Sequence, residues 1–184
     1  MKTIVIKAKL KSKLDLFKTL ADIDLKFGDI YYQHDRIFLP RGFKPDRNLP
    51  KLLIRTNVKR ADKSPTYSLI FKRHLADQDV DITHRTDITD YTETAYTLHQ
   101  LGFQLFAEVT KQRQNLIMDD GIRICVDQVE GLGVFIKIES QIKPDDTPKF
   151  VYENLKKTLT VLKVDSSDII DDTYANLLLN SAHS

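Results

Sequence analysis

The sequence predicts an α+β protein in which about eight antiparallel strands close into a barrel and helices pack outside it. Three observations support this fold. Most of the 184 residues alternate apolar and polar side chains with the period of two that is typical of β-strands. A few stretches instead repeat apolar residues at the spacing of an amphipathic helix. Basic residues recur on one side of several separate strands, and such residues converge only when the sheet closes into a barrel or tunnel.

The first ten residues predict a strand with one apolar side and one side that carries Lys7 and Lys9. Ser12 is a candidate N-cap for a helix that follows, because its hydroxyl can accept a hydrogen bond from the first helical turn. The apolar residues of that predicted helix are Leu14, Phe17, Leu20 and Ala21.

Further segments continue the strand pattern, and they are 29–39, 51–59, 66–73, 80–89, 106–117, 121–127 and 133–141. The loop 40–50 contains Pro and Gly and is predicted to rim a site. Asp90 and Glu93 form a capping-box pattern and Gly102 suits the position after a helix end, which predicts one helix among the strands. After Pro144 the apolar spacing is helical, so we expect helices to close the chain.

Composition limits the class of protein. The length favours a single domain over residues 1–184. A formal net charge of +2 is too small to indicate nucleic-acid binding, and no arginine–aromatic pattern predicts sequence-specific RNA recognition. The single cysteine, Cys125, is interpreted as a core residue and not as a nucleophile, and no apolar run is long enough for a membrane span. We therefore expect a cytoplasmic protein without membrane partners.

The segment from Val126 to Glu139, VDQVEGLGVFIKIE, carries the most specific information. Together with basic residues on other strands, it resembles the CYTH family of triphosphate tunnel enzymes, which includes class IV adenylyl cyclases, thiamine triphosphatases and inorganic triphosphatases. The matching basic residues are Lys7, Arg55, Lys72, Lys111 and Arg113. The resemblance extends from Met1 to about Ser140, with a weaker match in the tail, and it implies a closed eight-stranded barrel that holds triphosphate.

The chain departs from the family where acidic residues are expected. The family begins with Glu-x-Glu-x-Lys, whereas residues 3–7 keep the lysine alone. A second glutamate pair of the family aligns with Thr83 and Arg85 of this chain, and an alignment shifted by one residue is the open alternative. The closing Phe-x-Glu-x-Glu places Lys137 beside the surviving Glu139. In the family these carboxylates hold divalent cations, so their loss predicts a larger effect on rate than on ligand binding.

The resemblance and the strand parity together give a set of candidate site residues. The predicted phosphate-binding residues are Lys7, Arg55, Lys72, Arg85, Lys111, Arg113, Arg123 and Lys137. Arginine binds phosphate as a bidentate fork and lysine as a point charge. Asp127 and Glu139 are the candidate ligands of a residual Mg²⁺ or Mn²⁺ site. Without the resemblance, a solvated outer surface would explain the charged alternation equally well.

Three classes of function follow. The favoured prediction is a diverged CYTH-like protein that binds triphosphate, polyphosphate or a nucleotide in a basic tunnel, without requiring a metal and with weak or absent catalysis. The first alternative is an active adenylyl cyclase or triphosphatase that uses the residual metal. The second is a structural or protein-interaction role, in which Arg85, Arg123 and Lys137 pair with nearby carboxylates and plug the tunnel. The oligomeric state is left open.

Overall fold

The computed structural model describes residues 1–44, 46 and 48–182. Its strands are β1 (Lys2–Lys9), β2 (Ile30–Pro40), β3 (Lys51–Lys59), β4 (Pro65–Leu75), β5 (Val80–Ile88), β6 (Phe103–Ile117), β7 (Arg123–Val129) and β8 (Gly133–Gln141). Its helices are α1 (Lys13–Asp22), α2 (Tyr91–Gln100), α3 (Pro148–Val161) and α4 (Tyr174–Ala182), with a 3₁₀ turn at Ser166–Asp168.

The strands form a closed barrel in the order β1-β5-β4-β3-β2-β6-β7-β8, and all neighbours are antiparallel. This confirms the predicted fold. Closure is uneven: β1 pairs with β8 from Thr3 to Lys9, but with β5 through Lys2 and Thr3 alone.

The predicted helix ends are also confirmed. The Ser12 side chain accepts a hydrogen bond from the Asp15 amide at the start of α1. Asp90 accepts from two amides in the first turn of α2, and Gly102 after that helix has a φ of 87°, which glycine adopts without strain. β6 begins at Phe103 and not at residue 106, because Phe103 to Leu105 pair with the end of β2 beyond a bulge.

The main core lies between the outer face of the barrel and helices α1 and α3. It contains apolar residues from β1, β7 and β8, including Ile4, Ile6, Ala8, Ile124, Val126, Ile136 and Ile138, packed with Leu16, Leu20, Val151, Leu155 and Leu159. Since successive strand residues face opposite sides, the residues between these apolar positions face the barrel interior.

A second core lies inside the barrel, where six strands each contribute one apolar residue. We call this group the apolar layer; its members are Ile37, Leu53, Ile70, Val109, Val129 and Phe135. Residues of α4 pack on it, namely Tyr174, Ala175, Leu177 and Leu178. The last helix therefore covers one part of the interior. Among the described residues, no helix is long and apolar enough to cross a membrane.

Candidate functional site

The predicted basic residues lie on the inner face of the barrel. Residues opposite one another on neighbouring strands share a face, and the register pairs Lys7 with Lys137 and Lys72 with Thr83. It also pairs Arg113 with Asp127 and places Arg85 opposite Ile70 of the apolar layer. Thr83 and Arg85 therefore lie on the inner face.

Arg113 and Asp127 form a buried ion pair in the barrel interior. Arg113 donates from Nε to Asp127 Oδ1 at 2.6 Å and from Nη2 to Oδ2 at 2.5 Å, and the Tyr174 hydroxyl donates to Oδ2 at 2.9 Å. Asp127 is 0% exposed. Burial alone would raise the pKa of this carboxyl, but the charge and hydrogen bonds of Arg113 outweigh burial and lower the pKa to about 2.

Asp35 is an interior carboxylate that the sequence analysis missed. Arg55 donates to its two oxygens at 2.6 and 2.8 Å, and Lys111 Nζ donates to Oδ2 at 2.5 Å. Burial opposes ionisation, yet the charges of Lys111 and Arg55 hold the Asp35 pKa well below its usual range. The parity of the second strand was the available signal, since Gln33 and Asp35 alternate with residues of the opposite face.

Glu139 is also held by basic neighbours. Lys137 Nζ hydrogen-bonds to Glu139 Oε2, and Arg123 Nε lies 3.7 Å from Oε1. Burial would raise the Glu139 pKa, but the Lys137 charge and hydrogen bond lower it to about 2. Nearer to solvent, Arg85 pairs with Asp87 at 3.1 Å. These ion pairs between basic residues and nearby carboxylates are of the kind that the plugged-tunnel alternative predicts.

Lys72 differs from these residues because it has no hydrogen bond and no ion pair within the described part of the chain. Burial, followed by the positive charges of Lys137 and Arg55, lowers the pKa of Lys72 to about 7. Burial also lowers the pKa of Lys111, to about 8, despite its contact with Asp35. A bound anion beside Lys72 would reverse the electrostatic part of this shift.

Lys7 faces the interior but contacts the C-terminal segment. Its ammonium donates to the Asp172 carbonyl oxygen and lies 4.5 Å from the centre of the Tyr174 ring. Lys7 thus positions the start of α4.

The carboxylates do not fit a divalent cation. Magnesium is held by carboxylates in near-octahedral geometry, whereas Asp127 and Glu139 are each engaged by basic side chains. Across residues 1–44, 46 and 48–182, no three His, Cys, Asp or Glu side chains converge as a metal site. A further acid, Asp81, accepts from His74 Nδ1 at 2.8 Å.

A cavity of about 360 Å³ lies beside the loop after β2, and it is apolar. Its lining residues are Pro40, Phe43, Leu49, Pro50, Lys51, Leu52, Phe71 and Phe103. The loop predicted to rim a site thus lines this cavity, although Pro45 and Arg47 lie outside the described residues. Cys125 is buried on the inner face, and burial raises the pKa of its thiol, which agrees with a core role.

Comparisons with known proteins agree with the barrel fold. The CYTH domain matches residues 1–174. A candidate adenylate cyclase of Methanocaldococcus jannaschii is 25% identical over 176 residues, which cover 95% of this chain and 97% of that protein. A solved protein of Pyrococcus horikoshii superposes with a TM-score of 0.83 at 24% identity, covering 97% of this chain and 98% of the other.

A candidate adenylyl cyclase from Hippeastrum, described as having a dominant triphosphatase activity, superposes with a TM-score of 0.63 at 13% identity. The match covers 98% of this chain and 96% of that protein. At these identities the two solved structures establish the fold. Since the family match spans nearly the whole sequence, the chain belongs to the CYTH domain family, whose relatives include cyclase-like and triphosphatase-like proteins.

Proposed function

We propose that this protein binds the phosphate chain of a triphosphate, a polyphosphate or a nucleotide inside the barrel, without efficient turnover. The observation that carries the proposal is Lys72, a half-buried inner-face lysine that has no hydrogen bond or ion pair in the described structure and is surrounded by other cations. An uncompensated buried charge is costly, and the remaining basic residues add to its cost. A polyanion on this inner face would compensate several of these charges at once.

The charge balance supports the same function. The inner-face carboxylates are Asp35, Asp81, Asp87, Asp127 and Glu139, and the basic residues predicted to bind phosphate outnumber them. Arg55 already binds a carboxylate through two donors, a geometry that also suits a phosphate group. Lys137 shares a carboxylate with Arg123 and lies close enough to Lys72 to lower its pKa.

Weak turnover is proposed because phosphoryl and nucleotidyl transfer depend on cations placed against the charge of the transition state. Fixed lysine and arginine charges compensate the bound ligand but do not supply a metal-activated step. The relatives named as cyclases and as a triphosphatase make triphosphate the relevant ligand class.

The second candidate is a structural role in which the interior stays closed. The pairs Arg85–Asp87 and Arg123–Glu139 favour this role, because in each pair an inner-face arginine already has a carboxylate of the same chain as its partner. The Arg85–Asp87 pair is exposed and contributes little to stability, however, and an incoming phosphate can replace the carboxylate there.

Titration calorimetry separates the candidates. Tripolyphosphate and ATP are titrated once in EDTA and once with excess Mn²⁺, and the samples are then assayed for orthophosphate, pyrophosphate and cyclic AMP. Binding in EDTA without product is the expected result. Binding and product that both require Mn²⁺ would establish an enzyme instead, and no heat under either condition would establish the closed barrel.

Matched variants locate the binding. Lys72→Met should weaken tripolyphosphate binding at least about tenfold, which is about 1.4 kcal/mol. The control Arg36→Gln removes one positive charge from the outer face, where Arg36 contacts Glu108. Equal losses in the two variants would mean that tripolyphosphate binds the outer surface through net charge.

A further inference from the structure

Strand β5 has an open edge on the side that faces β1. Its pairing on that side ends at Thr83, which exchanges backbone hydrogen bonds of 3.0 Å with Met1 in both directions. Beyond Thr83 the strand continues to Ile88, and within the described part of the chain these last residues pair with β4 alone. Residues 84–87 are exposed. This segment can therefore accept a further strand.

The direction of the backbone groups shows which residues form this edge. Thr83 turns its N–H and C=O towards β1, and these groups alternate sides along an antiparallel strand. Arg85 and Asp87 therefore turn theirs towards the open side, whereas residues 84, 86 and 88 turn theirs towards β4. A strand added at this edge must place its own edge groups opposite Arg85 and Asp87.

The side chains of this edge favour one register with a second copy of the chain. Two identical antiparallel strands are related by a two-fold axis, which here passes through Arg85, Thr86 or Asp87. An axis at Arg85 sets two arginines opposite each other and an axis at Asp87 sets two aspartates opposite each other, and like charges in that position are destabilising. An axis at Thr86 instead sets each Arg85 opposite the Asp87 of the other copy. In this register the N–H and C=O groups of both residues also face a partner.

We propose that the protein forms a two-fold symmetric dimer through the open edge of β5, with Thr86 on the axis. Charged residues on an edge strand generally discourage pairing, but the opposite signs of Arg85 and Asp87 favour this register over the others. Arg85 contacts the Asp87 of its own chain at 3.1 Å, and the two side chains are 54% and 82% exposed, so the exchange of partners costs little.

The second copy would also contribute to the mouth of the barrel. Residues directly opposite one another on paired strands share a face, so Asp87 of the second copy lies beside the inner-face Arg85 of the first. The dimer does not rest on the proposed phosphate binding, because its contacts are made by β5 alone. Pairing limited to residues 84–88 is shorter than a stable interface of about 1,200–2,000 Å². We therefore expect a weak dimer, with a Kd on the order of 0.1 mM.

Complementary charge variants test the pairing. Arg85→Asp sets aspartates against each other across the axis and Asp87→Arg sets arginines against each other, so each variant alone should be monomeric. In an equimolar mixture every aspartate at these positions meets an arginine of the other copy, and association should be at least about tenfold tighter than for either variant alone. The pair within each chain is broken in both variants, so contact between copies alone explains such a recovery.

Sedimentation equilibrium measures these associations at protein concentrations from about 10 μM to 1 mM. Arg36→Asp and Glu108→Arg make the same charge changes on the outer face of β2 and β6, and each of these control variants should dimerise like the wild type. A monomeric wild type at about 1 mM, or a mixture of the two β5 variants that does not associate, would overturn the proposal.

A disulfide locates the axis. Thr86→Cys brings two thiols directly opposite each other, where Cβ atoms lie about 4.5–5.5 Å apart, close to the separation that a disulfide spans. This variant should form a covalent dimer under mild oxidation. His84→Cys is the matched control, since it is exposed on the same face but lies opposite Ile88 of the second copy, and the native Cys125 is buried. Equal cross-linking of the two variants, or none in Thr86→Cys, would overturn the assigned register.

Discussion

Arg113 binds both oxygens of Asp127 at 2.6 and 2.5 Å, although the two residues were predicted to serve different ligands. The sequence assigns Arg113 to phosphate and Asp127 to a metal, whereas the structure makes them partners on adjacent strands. Tyr174 adds a hydrogen bond from α4 to the same carboxylate. This pair therefore connects the charged inner face of the barrel to helix α4.

Asp127→Asn should destabilise the protein by about 3–5 kcal/mol, because it leaves the Arg113 charge buried without its counter-charge. Urea denaturation measures the change. Asp87→Asn is the control: that side chain is 82% exposed, and we expect a change below about 0.5 kcal/mol. Similar losses of stability in the two variants would show that burial of the ion pair does not decide the cost of removing its carboxylate.

Tyr174→Phe removes the hydroxyl that donates to Asp127 but keeps the ring that packs on Phe135. The expected loss is about 1.5–3 kcal/mol, the range for a hydrogen bond to a charged group. Thermal unfolding with Tyr96→Phe as the comparison tests this, since Tyr96 is 63% exposed. A Tyr174 variant as stable as the wild type would show that α4 is held by its apolar contacts alone.

Lys72→Met should stabilise the protein near neutral pH by about 1–3 kcal/mol, because it replaces an unpaired, half-buried charge by an apolar side chain. The folded-state pKa of Lys72, about 7, is lower than its ordinary value of 10.5. Between pH 7 and pH 10.5 the unfolded state binds more protons than the folded state, so the contribution of Lys72 to wild-type stability rises with pH.

The advantage of the Lys72→Met variant should accordingly shrink as pH rises from 7 towards 10.5. Denaturation curves at several pH values test this, with the exposed Lys9→Met as the control. A constant difference across this range would refute the lowered pKa.

The affinity for tripolyphosphate should depend on the protonation of Lys72. Above about pH 7 the wild type loses the Lys72 charge, whereas Lys72→Arg keeps a positive charge throughout. We expect the wild-type affinity to fall relative to the arginine variant by up to about tenfold per pH unit. The ratio of the two affinities cancels the titration of the ligand itself, and a ratio that is constant from pH 6 to about pH 9 would exclude Lys72 from the binding step.

Asp35→Asn should raise the affinity for tripolyphosphate and lower stability. The substitution releases Arg55 and Lys111 from their shared carboxylate and adds one net positive charge to the interior. A gain of about tenfold is expected at low salt, measured by calorimetry on protein whose fold is checked by circular dichroism. A folded variant with unchanged affinity would place the ligand away from Arg55 and Lys111.

The fold could be predicted from local sequence because period-two alternation, caps and turns are encoded within short segments. Ser12, Asp90 and Gly102 each act through neighbours a few residues away, and each was predicted correctly. Strand parity grouped several charged residues on common faces, such as Lys111 with Arg113 and Lys137 with Glu139, and the family resemblance identified that face as the inner one. Pairing between side chains did not follow, because it depends on the stagger of strands distant in sequence.

Asp35 and Tyr174 illustrate that limit. Asp35 is 76 residues from Lys111, and Tyr174 is 47 residues from Asp127, so no local pattern joins them. The sequence predicted the basic residues but not which of them already have an internal partner. That distinction, which singles out Lys72, required the closed barrel.

The pairing of β1 with β8 sets an order for folding during synthesis. Lys7 is synthesised before its partner Lys137 and 165 residues before its contact Asp172. The edge of β1 that faces β8 therefore stays unpaired until β8 has been made. Pairing over such sequence distances is slow, so this edge is open to other strands while the rest of the barrel forms.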